Sequence, residues 1–424
     1  MYPVAPVTRI RTLGSVGVPV SLPGGYREAG ARPMSQAGGT AGDMNGEEPI
    51  RVSHLIHDLR AGGAEHLLVD LAGLAPDAGI DLSVVSMMPL HGSRFANSFT
   101  RLGVPVFSLG LPSRWDPRGP GRARALLSEV GAQVVHSHLK HADIIASRAA
   151  PRLGIPMVST LHLIEMEVSP LGRLKRRLAA RQRMAHAART IAVSEATRRW
   201  YLDTFGERPE RVVTIRNGIG DPGEVSEDTR RTVRRELGIP EGAPMVVTIA
   251  LLRAGKGHDV LLEAAAMVPD AWFALVGDGP EAERLRSLAG RLGIADRVVF
   301  AGFRDDVAAA AAAADVVAHP SLADALATAL IYACAVGAPV VASRVGGLPE
   351  IVGGGAGVLV PPGDPAALAG AIGSLLGDPG LRRELGRSAR RRFEEEFDGR
   401  VWARRLAALY REVGGNGSPG PLYR

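Results

Sequence analysis

Residues 51–74 read RVSHLIHDLRAGGAEHLLVDLAGL, and residues 245–268 read MVVTIALLRAGKGHDVLLEAAAMV. Both start with an apolar run of strand length, Arg51–His57 and Met245–Leu252. Both then pass through a glycine-bearing loop, Ala61-Gly62-Gly63 in one case and Arg253-Ala254-Gly255-Lys256-Gly257 in the other. Each ends in a helical pattern, Ala64–Leu74 with Leu67, Leu68 and Leu71 on one face, and His258–Val268. An apolar strand, a glycine turn and an amphipathic helix make the opening unit of a doubly wound α/β domain, and this chain has two of them.

The alternation continues outward from each unit. Strands are expected at Asp81–Met87, Val104–Leu109, Val134–His138, Met157–Thr160 and Thr190–Val193, with helical patterns between most of them. It stops at the turn signal Arg216-Asn217-Gly218 and a charged helix, Glu227–Leu237, follows. After the second unit, strands are expected at Trp272–Val276, Val298–Ala301, Val316–Ala318, Pro339–Ala342 and Gly357–Val360. The expectation is an α/β fold of two doubly wound domains, 50–220 and 221–400, facing a cleft at their strand carboxyl ends. An amphipathic helix at 401–413 follows, and the Gly/Pro-rich tail 414–424 is expected to be disordered.

Residues 1–49 hold nine glycines and six prolines. That composition cannot bury a core and reads as a disordered or mis-assigned extension, with Met34 and Met44 as alternative starts. Its one apolar stretch is broken by Gly14, Gly17 and Pro19, which makes a poor signal-peptide core. Of 424 residues, 46% are hydrophobic and 22% charged, as in an ordinary soluble protein. The single cysteine, Cys334, excludes a disulfide framework. The net charge of +6 accompanies only 4% aromatics, which argues against a nucleic-acid partner. The basic run Arg173, Lys175, Arg176, Arg177, Arg181 and Arg183 lies on an amphipathic pattern with Leu174, Leu178 and Met184. It reads as a solvated helix face or as a contact for an anionic membrane surface. The expected location is cytoplasmic, peripheral on the inner membrane face.

Several segments carry chemistry at strand ends. Gly62-Gly63 opens a helix, where backbone N–H groups can approach an anion, although a glycine pair is also simply a tight turn. Arg253 and Lys256 bring cations to the matching loop, without the spacing of a P-loop. His319-Pro320-Ser321 ends a strand, and Asp324–Val336 reads as a helix whose positive end meets the cleft. Ser321 or Asp324 would be its ordinary cap.

In order along residues 50–413, the chain carries Gly62-Gly63-Ala64-Glu65, Val135-His136-Ser137-His138, Thr160-Leu161-His162, Val193-Ser194-Glu195 and Ile215-Arg216-Asn217-Gly218. Lys256-Gly257, Val276-Gly277-Asp278-Gly279-Pro280, Gly302-Phe303-Arg304-Asp305-Asp306-Val307, Gly337–Ser343 and Gly346-Gly347-Leu348-Pro349-Glu350 follow. This set resembles the retaining glycosyltransferases of the "glycosyl transferases group 1" family, which have the GT-B fold of two Rossmann-like domains. The resemblance implies a nucleoside diphosphate sugar as donor and a glycan or lipid-linked acceptor, in envelope or exopolysaccharide synthesis, with no cofactor and no metal. It places Gly62 and Gly63 near the donor phosphates, His162 against the transferred sugar and Lys256 against the diphosphate. Phe303 and Arg304 would lie beside the base. Asp324 would bind sugar hydroxyls, and the N–H groups of Leu326, Ala327 and Thr328 would hold the distal phosphate.

Three positions depart from the family pattern. Leu251 stands where an arginine is usual, so that Arg253 would substitute. Asp324 replaces a glutamate. Tyr332 replaces the carboxylate that grips the ribose. A phenol donates a hydrogen bond but cannot accept from two hydroxyls as a carboxylate does. These changes leave open a degenerate, non-catalytic paralogue acting as a binding partner. A sugar-nucleotide epimerase is the third reading, disfavoured by the Thr-x-His and Pro-Ser-x-x-Asp arrangements.

Overall fold

The computed structural model describes residues 11–12, 48–60, 62–91, 93, 95–164 and 170–415. The first half builds a parallel sheet from β2 (Ile50–Ile56), β3 (Ile80–Ser86), β4 (Val106–Ser108), β5 (Val134–His138), β6 (Met157–Leu161), β7 (Ala187–Ala192) and β8 (Val212–Thr214). A two-residue strand, β1 (Arg11–Thr12), extends its edge beside β4, giving the order β1-β4-β3-β2-β5-β6-β7-β8. The second sheet runs β11-β10-β9-β12-β13-β14. Its strands are β9 (Met245–Ile249), β10 (Trp272–Val276), β11 (Val298–Gly302), β12 (Val316–His319), β13 (Val340–Ser343) and β14 (Gly357–Val360). Helices cover both faces, so β2, β5 and β9 are buried almost throughout and read as continuous apolar runs.

Of the extension 1–49, residues 11–12 form β1 and residues 48–49 lead into β2, while residues 1–10 and 13–47 lie outside the described residues. The structure corrects three expectations. β8 is an additional strand, too short to stand out by pattern. The helix expected from Asp324 starts four residues later, at Thr328–Ala335, with Ala327 in extended conformation as its cap and no side-chain capping bond. Residues 324–327 are drawn off the helix by cross-chain contacts: the Gly347 N–H donates to the Asp324 carbonyl at 3.1 Å and Ser194 Oγ to the Ala325 carbonyl at 2.7 Å.

Finally, Arg183 leaves the basic face of helix Pro170–His186. It is buried and paired with Asp143 at 2.5 Å. Asp143 also accepts from Ser137 and Ser159, at 2.6 and 2.7 Å. A buried guanidinium needs such a partner. Leu174 and Leu178 face outward instead, 54% and 50% exposed.

The last helix, Gly399–Val413, crosses back from the second half. It packs on helix Gly63–Leu74 and on β2 of the first half, burying Trp402, Leu406 and Tyr410. A backbone bridge between Ile219 and Asp398 pins the crossing where the chain first leaves the first half.

Candidate active site

The carboxyl ends of the two sheets form opposite walls of a cleft. On the first wall, β5 pairs with β2 so that His136 lies opposite His54, and with β6 so that His138 lies opposite Thr160. Alternate residues of a strand share a face, so these side chains meet on one face. His162 follows two residues beyond Thr160. His138 Nδ1 lies 2.8 Å from His162 Nε2, and His138 Nε2 lies 2.9 Å from His54 Nδ1. Burial, aided by the neighbouring imidazoles, pulls His54 down to about 3 and drives His136 and His138 well below the usual range. Burial alone takes His162 to about 4. This wall is neutral. His54, His136 and His138 each bring a ring nitrogen within 4.8 Å of the others, a spacing that could gather a metal ion. Every ring nitrogen of the three is already hydrogen bonded, however.

On the second wall, the loop after β9 brings Lys256 Nζ to 2.6 Å from Asp324 Oδ2. His319, at the end of β12, places Nε2 at 3.0 Å from the same oxygen, and Ser321 Oγ donates to it at 3.3 Å. Burial works to raise Asp324, but the His319 bond and the Lys256 charge override it and hold the carboxyl well below the usual carboxylate range. Two glycines make this packing feasible. Gly257 has φ 70°, and a Cβ there would lie 1.9 Å from the Pro320 carbonyl oxygen. Gly346 has φ 50°, and a Cβ there would lie 1.8 Å from the Asp324 carbonyl oxygen.

Between the walls lies a cavity of about 130 Å³. Gly62, Gly63 and His66 line it from one side; Ile249, Leu251, Phe303, Arg304, Thr328 and Tyr332 line it from the other. The start of helix Thr328–Ala335 faces Gly63, whose Cβ, if present, would come 3.9 Å from Thr328 Oγ1. Helix N–H groups and a glycine-bearing loop therefore converge on one space, a geometry suited to an anion.

The structure thus brings together Gly62, Gly63, Phe303, Arg304, Thr328 and Tyr332 around the cavity, with Lys256 and Asp324 as an ion pair nearby. Leu326 and Ala327 are buried in the preceding loop. Neither of the cap candidates Ser321 and Asp324 caps the helix; both bond within the Lys256 cluster. Arg253 is exposed and does not line the cavity. The Arg304 guanidinium bonds Asp306 at 2.6 and 2.8 Å and Glu236 at 2.9 Å, which leaves its backbone and stem at the cavity wall. His162 sits apart, lining a hollow of about 50 Å³ with Lys140, Thr160 and Arg176.

Tyr332 has a partner that the sequence does not suggest. Its hydroxyl donates across the cleft to both oxygens of Asp70, at 3.0 and 2.8 Å. Burial pushes Asp70 up to about 7, against the lowering bonds from Tyr332 and the Gly220 N–H. Asp70, His54 and Tyr410 were missed by sequence reasoning, and His319 was marked only as the last residue of a strand next to Pro-Ser, with no role of its own.

The family model "Glycosyl transferases group 1" matches residues 229–392, and "Glycosyltransferase Family 4" matches residues 61–221. A D-inositol 3-phosphate glycosyltransferase of Acidothermus cellulolyticus is 35% identical over 63% of this chain and 64% of the relative. One from Xylanimonas cellulosilytica is 33% identical over 64% and 71%. A 2-deoxystreptamine N-acetyl-D-glucosaminyltransferase of Streptomyces fradiae is 33% identical over 58% and 63%. The first three such matches span slightly less than two thirds of the relatives' length. Among solved structures, Anabaena Alr3699/HepE in complex with UDP and glucose superposes with a TM-score of 0.76 at 25% identity, covering 85% of this chain and 99% of that one. With both halves matched, two Rossmann-like sheets facing a cleft and relatives of this kind, the chain belongs to the glycosyl transferases group 1 family and has the GT-B fold.

Proposed function

We propose that the protein is a retaining glycosyltransferase that moves a sugar from a nucleoside diphosphate to a hydroxyl of a glycan or lipid-linked acceptor. The observation that carries this reading is the convergence of the start of helix Thr328–Ala335 and the Gly62-Gly63 loop on one cavity, with Lys256 held by Asp324 in the segment that leads into that helix. Breaking a glycosyl–phosphate bond builds negative charge on the departing diphosphate. A fixed cation and aligned N–H groups stabilise that charge without having to reorganise. The nucleoside would lie along Ile249, Leu251 and Phe303, and the sugar would reach His162. The neighbour solved with UDP and glucose supports a nucleoside diphosphate sugar as donor. In this reading transfer needs no divalent ion, because Lys256 and the helix start supply the positive potential.

The hollow beyond His162 is the proposed acceptor side. Lys140 and Arg176 in its wall suit an acceptor bearing an anionic group, as in the inositol phosphate named for several relatives. A screen of sugar nucleotides in EDTA, read by product formation and by melting temperature, tests the whole reading. Product with one donor and a raised melting temperature with its nucleoside diphosphate are expected. Absence of both with all common donors would favour the non-catalytic alternative.

Membrane attachment belongs to the same proposal. Leu174 and Leu178 project side by side from helix Pro170–His186, with Arg173, Lys175, Arg177 and Arg181 exposed around them. An apolar pair within a cationic collar suits an anionic bilayer surface. The protein should float with anionic vesicles at low salt and be released at high salt. Equal flotation with neutral vesicles would refute the electrostatic contact.

A further inference from the structure

The first wall holds more histidine than a sugar contact needs. Five hydrogen bonds run in one unbranched line from Thr160 to His162. Thr160 Oγ1 meets His136 Nε2 at 2.6 Å, and His136 Nδ1 meets the Tyr410 hydroxyl at 2.6 Å. That hydroxyl meets His54 Nε2 at 3.2 Å, His54 Nδ1 meets His138 Nε2 at 2.9 Å, and His138 Nδ1 meets His162 Nε2 at 2.8 Å. His54, His136, His138 and Tyr410 are all buried. The cavity among them is about 10 Å³, room for no more than about one water. The line is therefore no binding site for a substrate.

A neutral imidazole has one N–H and one bare nitrogen, and a hydroxyl has one proton. A line in which every bond must have one donor therefore has only two arrangements. In the first, Thr160 donates to His136, His136 Nδ1–H to Tyr410, Tyr410 to His54, His54 Nδ1–H to His138, and His138 Nδ1–H to His162 Nε2. His162 then carries its proton on Nδ1. In the second, every bond is reversed, so His162 donates from Nε2 and presents a bare Nδ1. Switching passes each proton to the neighbouring heavy atom, and every group ends neutral once His162 releases its Nδ1 proton and Thr160 Oγ1 takes one up from water.

We propose that His136, Tyr410, His54 and His138 form a tautomer relay that ties the proton position on His162 to their own, making them positioning residues for the contact of His162 with the transferred sugar. The inference rests on the transferase reading for the role of His162, while the relay itself stands on the geometry. The nitrogen that a histidine leaves protonated is set by the bond its other nitrogen makes, and here that dependence passes through four further groups. A second feature locates the effort in the same place. Among the described residues, Leu139 is the one non-glycine with positive φ, at 69°. It directly follows His138, at the turn that fixes where β5 ends. Strain of this kind persists where the surroundings over-determine it.

The relay makes a demand that ordinary packing does not: His54, His136, His138 and His162 must all have the same tautomer. Nitrogen NMR of full-length, histidine-labelled protein reads this directly near neutral pH, with each signal assigned by single His→Gln variants. Four matching tautomers are expected. A mixture, or purified protein carrying zinc at one equivalent per chain with these imidazoles as its ligands, would overturn the relay. Tyr410→Phe cuts the line two rings away from His162. It should uncouple the His136 tautomer from the other three and lower kcat about tenfold with little change in donor KM, the worth of one misdirected hydrogen bond. If Tyr410→Phe folds poorly, the wild-type tautomer pattern still decides. Matching tautomers in a protein that transfers no sugar would support the relay and count against the proposed reaction, so the two can fail separately.

Discussion

The two strand–glycine–helix units share a backbone plan and part company in charge. The unit at 51–74 leads to a wall of neutral groups: imidazoles pulled down by burial, and two carboxyls, Glu65 and Asp70, pushed up to about 7. The unit at 245–268 leads to a wall built on an ion pair, Lys256 with Asp324, whose carboxyl stays ionised. The same fold thus sets two kinds of chemistry face to face. A neutral wall suits a sugar, whose hydroxyls give and take uncharged hydrogen bonds. A charged wall suits a diphosphate, whose charge rises as the bond breaks.

The sharpest way to break this comparison is to remove the cation. Lys256→Ala should slow transfer by about 10²–10³, the scale for deleting one preorganised group at a developing charge. His319 remains bonded to Asp324, so the fold should persist. A turnover number near wild type, measured with the donor identified by the screen, would mean that Lys256 only anchors Asp324. The neutral wall predicts a smaller loss from any single histidine, because each contributes an uncharged bond.

How much of this was legible in the sequence follows from distance along the chain. The sheet of each half could be read because its signals are local: an apolar run, a glycine and a leucine face lie within 24 residues. Lys256 and Asp324 could be read as separate site residues from the family resemblance. Their direct pairing could not, because it depends on residues 324–327 leaving the helix under the pull of Gly347 and Ser194. The histidine line was half visible in His136-x-His138 on one strand. Its hinge, Tyr410, arrives from 274 residues away on a helix that crosses back from the other half. No periodicity reports such a contact.

Tyr332 sharpens the comparison, since it is where the two walls touch. The family pattern suggests that a carboxylate at 332 would strengthen ribose binding. The structure shows why that exchange cannot be made alone: Tyr332→Glu would set a second carboxyl beside Asp70. Like charges in a half-buried site should cost about 1–2 kcal/mol, a fall of roughly 2–8 °C in melting temperature. Tyr332→Glu combined with Asp70→Asn removes the clash, and should recover the melting temperature and tighten nucleoside diphosphate binding up to about tenfold. Recovery of stability without tighter binding would show that position 332 serves the contact between halves and not the ribose.

The last expected effect concerns Asp70 itself and follows from the sign of its shift. Its carboxyl sits at about 7 in the folded protein, above the usual 3.8, chiefly through burial. Between those values the folded state holds a proton that the unfolded chain has released. Stability must therefore fall as pH rises from about 4 to 7 and level off above that. Glu65, also raised to about 7, has the same sign, so the wild-type slope contains both. Asp70→Asn keeps an oxygen to accept from Tyr332 and removes one titration. Its melting temperature should match wild type only at or below about pH 4 and exceed it increasingly up to pH 8, with a shallower decline between. A variant whose decline runs parallel to wild type would mean that Asp70 does not hold a proton against Tyr332. The neutral character of the first wall would then rest on its histidines and Glu65 alone.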